Sequence, residues 1–276
     1  MKKVFKSLFV LTSLTLLLTS CKTNKNSEGE EDVDISIADG EGYYASIKGD
    51  MSGGTNGDLR KALTSLVKPA QTVEYSAGLK THLQKADEDP NNSANMIYFY
   101  TQDSVKKNAA SSWNREHTWP QSESNSCWGK TQAGSDMLHI RPTYNSTNSS
   151  RGSLHFGEVS GSYQTYNGKP YGKVGTYFEP IDSVKGDSAR IIMYIWVAWQ
   201  DYYGNKMPNV TDIFQSVDVM LKWHLQDAPS TQEVKRNDYV QSTVQKNRNP
   251  FVDHPEYACK IWGNTNSTTK SLCGIK

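Results

Sequence analysis

Leu59, Leu63 and Leu66 recur at helical spacing between Asp58 and Lys68, and Pro69 ends the run, so an amphipathic helix facing a core is predicted there. Residues 86–95 (ADEDPNNSAN) are turn-rich, whereas Met96-Ile97-Tyr98-Phe99-Tyr100 has the β-branched and aromatic content of a buried strand. Ile191 to Trp199 is an unbroken apolar run of nine residues, too short to span a membrane. It predicts a buried helix over Ser188–Tyr203 with Asp187 near its N-cap. Val210 to Gln226 repeats the helical pattern through Ile213, Phe214, Val217, Leu221 and His224, which puts His224 on the flank of a core. Residues 101–160 break the pattern, being poor in aliphatic residues and rich in Ser, Asn, Gly, His and Trp. Such a stretch is either a surface loop system or a functional site laid over a scaffold. The mixture predicts an α+β domain, mostly helical.

The N-terminal pattern is of another kind. Lys2, Lys3 and Lys6 precede an apolar stretch from Leu8 to Leu18, as in a processed export segment. The ending Leu18-Thr19-Ser20-Cys21 resembles the bacterial lipobox, which implies lipidation of Cys21 and a membrane-surface anchor outside the cytoplasm; plain secretion is the alternative. Residues 22–39 hold six acidic and two basic residues and few apolar ones, and read as a flexible tether. The expected organisation is a signal at 1–20, an acidic tether at 21–39 and one catalytic domain at 40–276, with no protein partner implied and a monomer expected.

Composition refines this picture. With 276 residues and 36% hydrophobic content the chain can bury a sizeable core, and a net charge of +1 excludes a grip on polyanions by bulk charge. From Gly40 onward 25 basic residues face 23 acidic ones, so any polyanion site must be built from a few placed charges and a metal. Cys127, Cys259 and Cys273 remain after Cys21; a Cys259–Cys273 bridge closing the C-terminal tail is the first choice, with Cys127 free. There is no CxxC, no HExxH and no G-x-S-x-G, which leaves zinc and serine-hydrolase chemistry without a motif.

Two blocks carry chemistry. In Trp113-Asn114-Arg115-Glu116-His117-Thr118-Trp119-Pro120, a carboxylate able to hold a metal stands beside an imidazole able to take a proton, at the end of a short extended segment. An exposed polar pair is the plain alternative for Glu-His alone. The second block, Asp136 to Gly152, adds His139, Arg141, Asn148 and Arg151, with Asn148 and Arg151 one helical turn apart. Carboxylate and amide oxygens are hard ligands suited to Mg²⁺ or Ca²⁺. Arg141, Arg151 and Lys130 could clamp phosphate oxygens or steady charge in a transition state.

Together the Arg-Glu-His-x-Trp-Pro block, Asp136-x-x-His139-Ile-Arg-Pro and Asn148-Ser-Ser-Arg151-Gly resemble the bacterial endonuclease I family of periplasmic and secreted nucleases. The likeness extends through Phe178-Glu179-Pro180, Lys185 to Arg190 and Asn247 to Glu256, covering most of residues 43–262. It implies a ββα-metal (His-Me finger) site, with His117 the general base that activates water, and Glu116 and Asn148 holding one hydrated Mg²⁺, Ca²⁺ or Mn²⁺ being possible. It also implies DNA and/or RNA as substrate, contacted through backbone phosphates, and 5′-phosphate products.

Two departures from the family pattern matter. The periplasmic members carry a Gly-Gly-Arg element and paired cysteines after the catalytic histidine, whereas Ser126-Cys127-Trp128-Gly129-Lys130-Thr131 here has no arginine. Arg151, Arg141 or Lys130 is left to take that role. His139 stands where those members have an amide, and reads as structural or phosphate-contacting. Asp136 is expected to orient a histidine, His155 to be a loop residue beside the site, and Asp253 and His254 to cap the core. Trp113, Trp119 and Trp128 could either stack on bases or pack a loop-built site. The rival from another class is a non-catalytic glycan-binding surface lipoprotein, which explains the aromatic content but not the ordered blocks.

Overall fold

The structure, a computed structural model, describes residues 38–69, 71–109, 113–125, 128–130 and 132–276. The export segment, Cys21, most of the tether and Cys127 lie outside the described residues.

α1 (Asp58–Val67) is the first predicted helix; it buries Leu59, Leu63 and Val67. α2 (Ala77–Ala86) leads into a small antiparallel sheet of β1 (Glu88–Asp89), β2 (Asn92–Ile97) and β3 (Ser104–Lys106), in that order. The strand predicted at Met96–Tyr100 therefore begins earlier and ends sooner. Asp89 accepts a hydrogen bond from the Asn91 amide at 2.8 Å and sets a tight hairpin, so pairing starts at Asn92 despite its polar content. After Ile97 the chain turns back through Gln102, at φ 52, and the Phe99 amide bonds instead to the Pro142 carbonyl at 2.8 Å.

That bond leads to the second sheet. β4 (Trp113–His117) pairs antiparallel with β5 (Ile140–Tyr144), Glu116 opposite Arg141 and His117 opposite Ile140, and α3 (Asn145–Arg151) follows directly. Gly152 ends α3 at φ 55, ψ −126, a conformation that a side chain would strain. β6 (Gln164–Tyr166), β7 (Lys169–Val174) and β8 (Phe178–Pro180) form a third antiparallel sheet.

α4 (Asp182–Tyr203) is the centre of the core, buried continuously from Val184 to Trp199, its second half apolar nearly all round and its buried Lys185, Asp187 and Arg190 held in ion pairs. It packs against α1 and against α5 (Val217–Gln226). It starts earlier than predicted: Asp182 pairs with Lys185 at 2.8 Å in the first turn, and Asp187 is no N-cap but a buried partner of Arg190 at 3.1 Å. α5 in turn starts later than the pattern suggested. Phe156 exchanges hydrogen bonds with Ile213 and Gln215, both at 2.7 Å, which makes Phe214 an isolated β-bridge after the 3-10 turn Val210–Asp212, before Ser216 caps the helix. His224 lies in the core as expected, its Nε2 2.8 Å from the Pro255 carbonyl.

α6 (Thr231–Tyr239), α7 (Pro250–Asp253), α8 (Glu256–Trp262) and α9 (Ser267–Leu272) complete the chain. A Cys259–Cys273 disulfide, the first-choice pairing, ties α8 to the residue after α9. Asp253 accepts from Tyr44, Arg248 and Asn237 and holds the core end together. Among the described residues no helix is long and apolar enough to cross a membrane.

Candidate active site

β4, the turn after it and α3 border a cleft of about 470 Å³ whose lining includes Glu116, His117, Asn148 and Arg151. Glu116 is 2% exposed, and its Oε1 accepts from the Tyr100 hydroxyl at 2.6 Å and faces Arg151 at 3.2 Å. Burial pushes its carboxyl above the usual range, against the opposing pull of the Arg151 charge and the Tyr100 bond. Asn148 donates its amide nitrogen to Asn114 at 2.6 Å, which leaves its oxygen as the free acceptor end.

His117 is held on three sides. Its Nε2 lies 2.9 Å from the Gly134 carbonyl, its ring stacks on Tyr75 with centroids 5.6 Å apart, and the His139 ring stands edge-on at 5.4 Å. A carbonyl can only accept, so Nε2 carries the proton and Nδ1 keeps the lone pair. Burial, aided by the charges of Arg115 and Arg151, lowers the imidazole to about 4, while the Gly134 bond opposes the shift. The ring is therefore a neutral proton acceptor throughout the neutral range.

The other expected residues divide. Arg151 lines the cleft but is 1% exposed, with its terminal nitrogens given to the carbonyls of His117 (3.3 Å), Thr118 (2.8 Å) and Gly152 (3.3 Å) as well as to Glu116. Arg141 is not brought to the cleft. Its guanidinium is buried 3.2 Å from Asp87 and 4.7 Å from the centre of the Phe99 ring, so the expectation that it clamps phosphate is corrected. Asp87 draws it inward, a buried carboxylate that also pairs with Arg236. Asp136 does not orient a histidine through its carboxylate either. That carboxylate accepts from Tyr194 (2.7 Å), Trp199 (2.9 Å), Gln245 (2.8 Å) and the Leu138 amide (2.9 Å), bolting the site segment to α4. His139 is wholly buried: Trp119 donates to its Nε2 at 3.0 Å and its Nδ1 meets the Ala133 carbonyl at 2.8 Å, a structural position closed to phosphate. Lys130 is exposed and outside the cleft lining. Trp113, Trp119 and Trp128 are buried and pack the loops, and His155 faces Glu123 at 3.5 Å.

Tyr75 and Arg115 were not singled out from sequence. Arg115 was visible in principle, two residues before His117 on a strand and hence on its side. Tyr75 had no signal, because its contact spans forty residues of chain and no motif. A separate group, Asp39, His254 and Glu256, brings ligand-type atoms within 4.8 Å of one another. These are already engaged, Asp39 by Tyr257 and Glu256 by His254 at 3.0 Å, and none lines the cleft.

The family model described as Endonuclease I matches residues 55–256. An extracellular ribonuclease of Bacillus amyloliquefaciens is 35% identical over 238 residues, 82% of this chain and 79% of its own length. An extracellular ribonuclease of Bacillus subtilis (strain 168) is 34% identical over 238 residues, 82% of this chain and 80% of its own. The chain belongs to the endonuclease I family, nucleases that hydrolyse phosphodiester bonds.

Proposed function

We propose that this protein is an extracytoplasmic, metal-dependent endonuclease of low sequence specificity, built on a ββα-metal site. The observation that carries the reading is the convergence on one cleft of a carboxylate, an amide oxygen and a neutral histidine with a committed tautomer. The donor set fits a hard divalent cation: Tyr100 and Arg151 both engage Oε1 of Glu116, which leaves Oε2, and Asn148 turns its nitrogen to Asn114, which leaves its oxygen. Glu116 and Asn148 would hold hydrated Mg²⁺, with Ca²⁺ or Mn²⁺ as alternatives; such an ion, when bound, stabilises charge on the phosphate and the departing 3′ oxygen.

His117 takes the proton of the attacking water at Nδ1, while Gly134 fixes the ring and its tautomer. Arg151 keeps β4 and α3 together through the carbonyls it bridges and holds the Glu116 carboxylate. Water as nucleophile needs no 2′-hydroxyl, so DNA and RNA both qualify, and the ribonuclease names of the Bacillus relatives favour RNA among the substrates. Products carry 5′-phosphates. The same names support export, and we extend it to lipid anchoring at Cys21. The rival glycan-binding reading loses its support with the burial of Trp113, Trp119 and Trp128.

Plasmid nicking and RNA digestion by wild type and His117→Ala, each with and without EDTA, test the chemistry. The expected loss is on the order of 10²–10⁴-fold for the variant and complete with EDTA; activity that survives both changes overturns the mechanism. The same assay on cell-bound and released fractions tests the anchor: Cys21→Ser should move activity into the medium, and an unchanged distribution removes the lipid.

A further inference from the structure

Among the described residues that line the cleft, the permanent cations are Arg115 and Arg151. Arg151 is spoken for. It is 1% exposed, and its terminal nitrogens serve three backbone carbonyls and Glu116, so turning to a substrate would strand these buried groups. Arg115 differs in each respect. It is half-buried, its guanidinium lies 3.9 Å from the centre of the Tyr75 ring, and NH1 donates to the Tyr75 carbonyl at 2.7 Å. One anchored nitrogen and a stacked plane hold the fork in place and leave donors over for a ligand. Arg115 and His117 also share Tyr75 as a neighbour, the imidazole stacking on the same ring, so the cation is held on the side of the strand where the base stands.

We propose that Arg115, fixed by Tyr75, is the residue that grips a substrate phosphate in this cleft and supplies the cationic role left vacant by the arginine missing after His117. The inference rests on the nuclease reading for its substrate, a phosphodiester chain, but not on any particular metal. It reassigns the role from Arg151 and Arg141, both of which the fold uses internally.

The deciding measurement separates phosphate contact from catalysis. Binding of a short fluorescein-labelled single-stranded DNA oligonucleotide to His117→Ala protein in EDTA is followed by anisotropy across a salt series, with and without Arg115→Ala, Arg115→Lys or Lys61→Ala. Loss of one phosphate contact lowers the slope of log K on log salt by about 0.7 for single strands. Arg115→Ala is expected to lower the slope by that amount and weaken binding, Arg115→Lys to keep the slope, and the exposed control Lys61→Ala to change neither. In otherwise wild-type protein with Mg²⁺, Arg115→Ala should also lower kcat/KM by on the order of 10²-fold, with Arg115→Lys recovering part. An Arg115→Ala slope equal to the parent's overturns the proposal, even if activity falls, because Arg115 then only positions its neighbours. Should His117→Ala remain active in EDTA, the nuclease mechanism fails while the salt slope still decides the contact.

Discussion

A methyl group at position 134 would lie 1.9 Å from the Gly129 carbonyl oxygen, so only glycine lets these two loop segments meet. The Gly134 carbonyl held in place by this close approach accepts the hydrogen bond from His117 Nε2. Gly134→Ala is therefore expected to shift that acceptor and lower kcat by about 10²-fold, the low end of what a positioned base contributes, with KM little changed. Steady-state cleavage of an oligonucleotide checks it, and an unchanged kcat would remove Gly134 from the base's support. At this scale the sequence revealed the groups whose chemistry lies close together along the chain: Glu116 and His117 are adjacent, and Asn148 lies on the helix just after the paired strand. It could not reveal where Arg141 points. That is decided by Asp87, fifty-four positions away, which becomes a neighbour only after folding.

At the scale of elements, the paired strands and α3 hang on α4 through one carboxylate. Asp136 receives Tyr194 and Trp199 from α4 and Gln245 from beyond the π-helical turn Val240–Val244, all buried. Asp136→Ala would take the carboxylate acceptor from the buried donors of Tyr194 and Trp199 and from the Leu138 amide, each worth about 1–3 kcal/mol, while Gln245 keeps Asn247 at 3.2 Å. A loss of about 3 kcal/mol or more is expected in urea unfolding, with Asp136→Asn milder, and an unshifted midpoint would dismiss the bolt. Periodicity predicted α1 because its apolar face repeats along the helix, and an unbroken apolar run predicted the middle of α4. The starts of α4 and α5 escaped the pattern, since they depend on the Asp182–Lys185 pair and on the Phe156–Phe214 bridge.

Across the whole molecule, acid should unpick the fold through its buried histidines. Burial lowers His139 to about 3 and His224 to about 4, so both stay neutral in the native state. The unfolded chain protonates them near 6.5. Their stabilisation is thus complete above pH 6.5 and is lost as pH falls toward those folded values, by up to about 1.4 kcal/mol per pH unit for each ring. Burial raises Glu116 and Asp136, whose protonation acts in the opposite direction and offsets part of the loss at the lower end of this window. Urea unfolding at a series of pH values should show the decline, with a shallower slope in His224→Gln by one proton; equal slopes would exclude His224 as a contributor. Tyr75 apart, the residues lining the cleft all come from residues 114–153. The groups proposed to act are thus carried on a single tract, and the rest of the chain supplies the core beneath it and polar partners at fixed points. Recombination within this family could exchange whole active sites by swapping that tract, provided the recipient kept Tyr75 beside Arg115 and His117, Tyr100 on Glu116, and the Tyr194, Trp199 and Gln245 side chains that donate to Asp136.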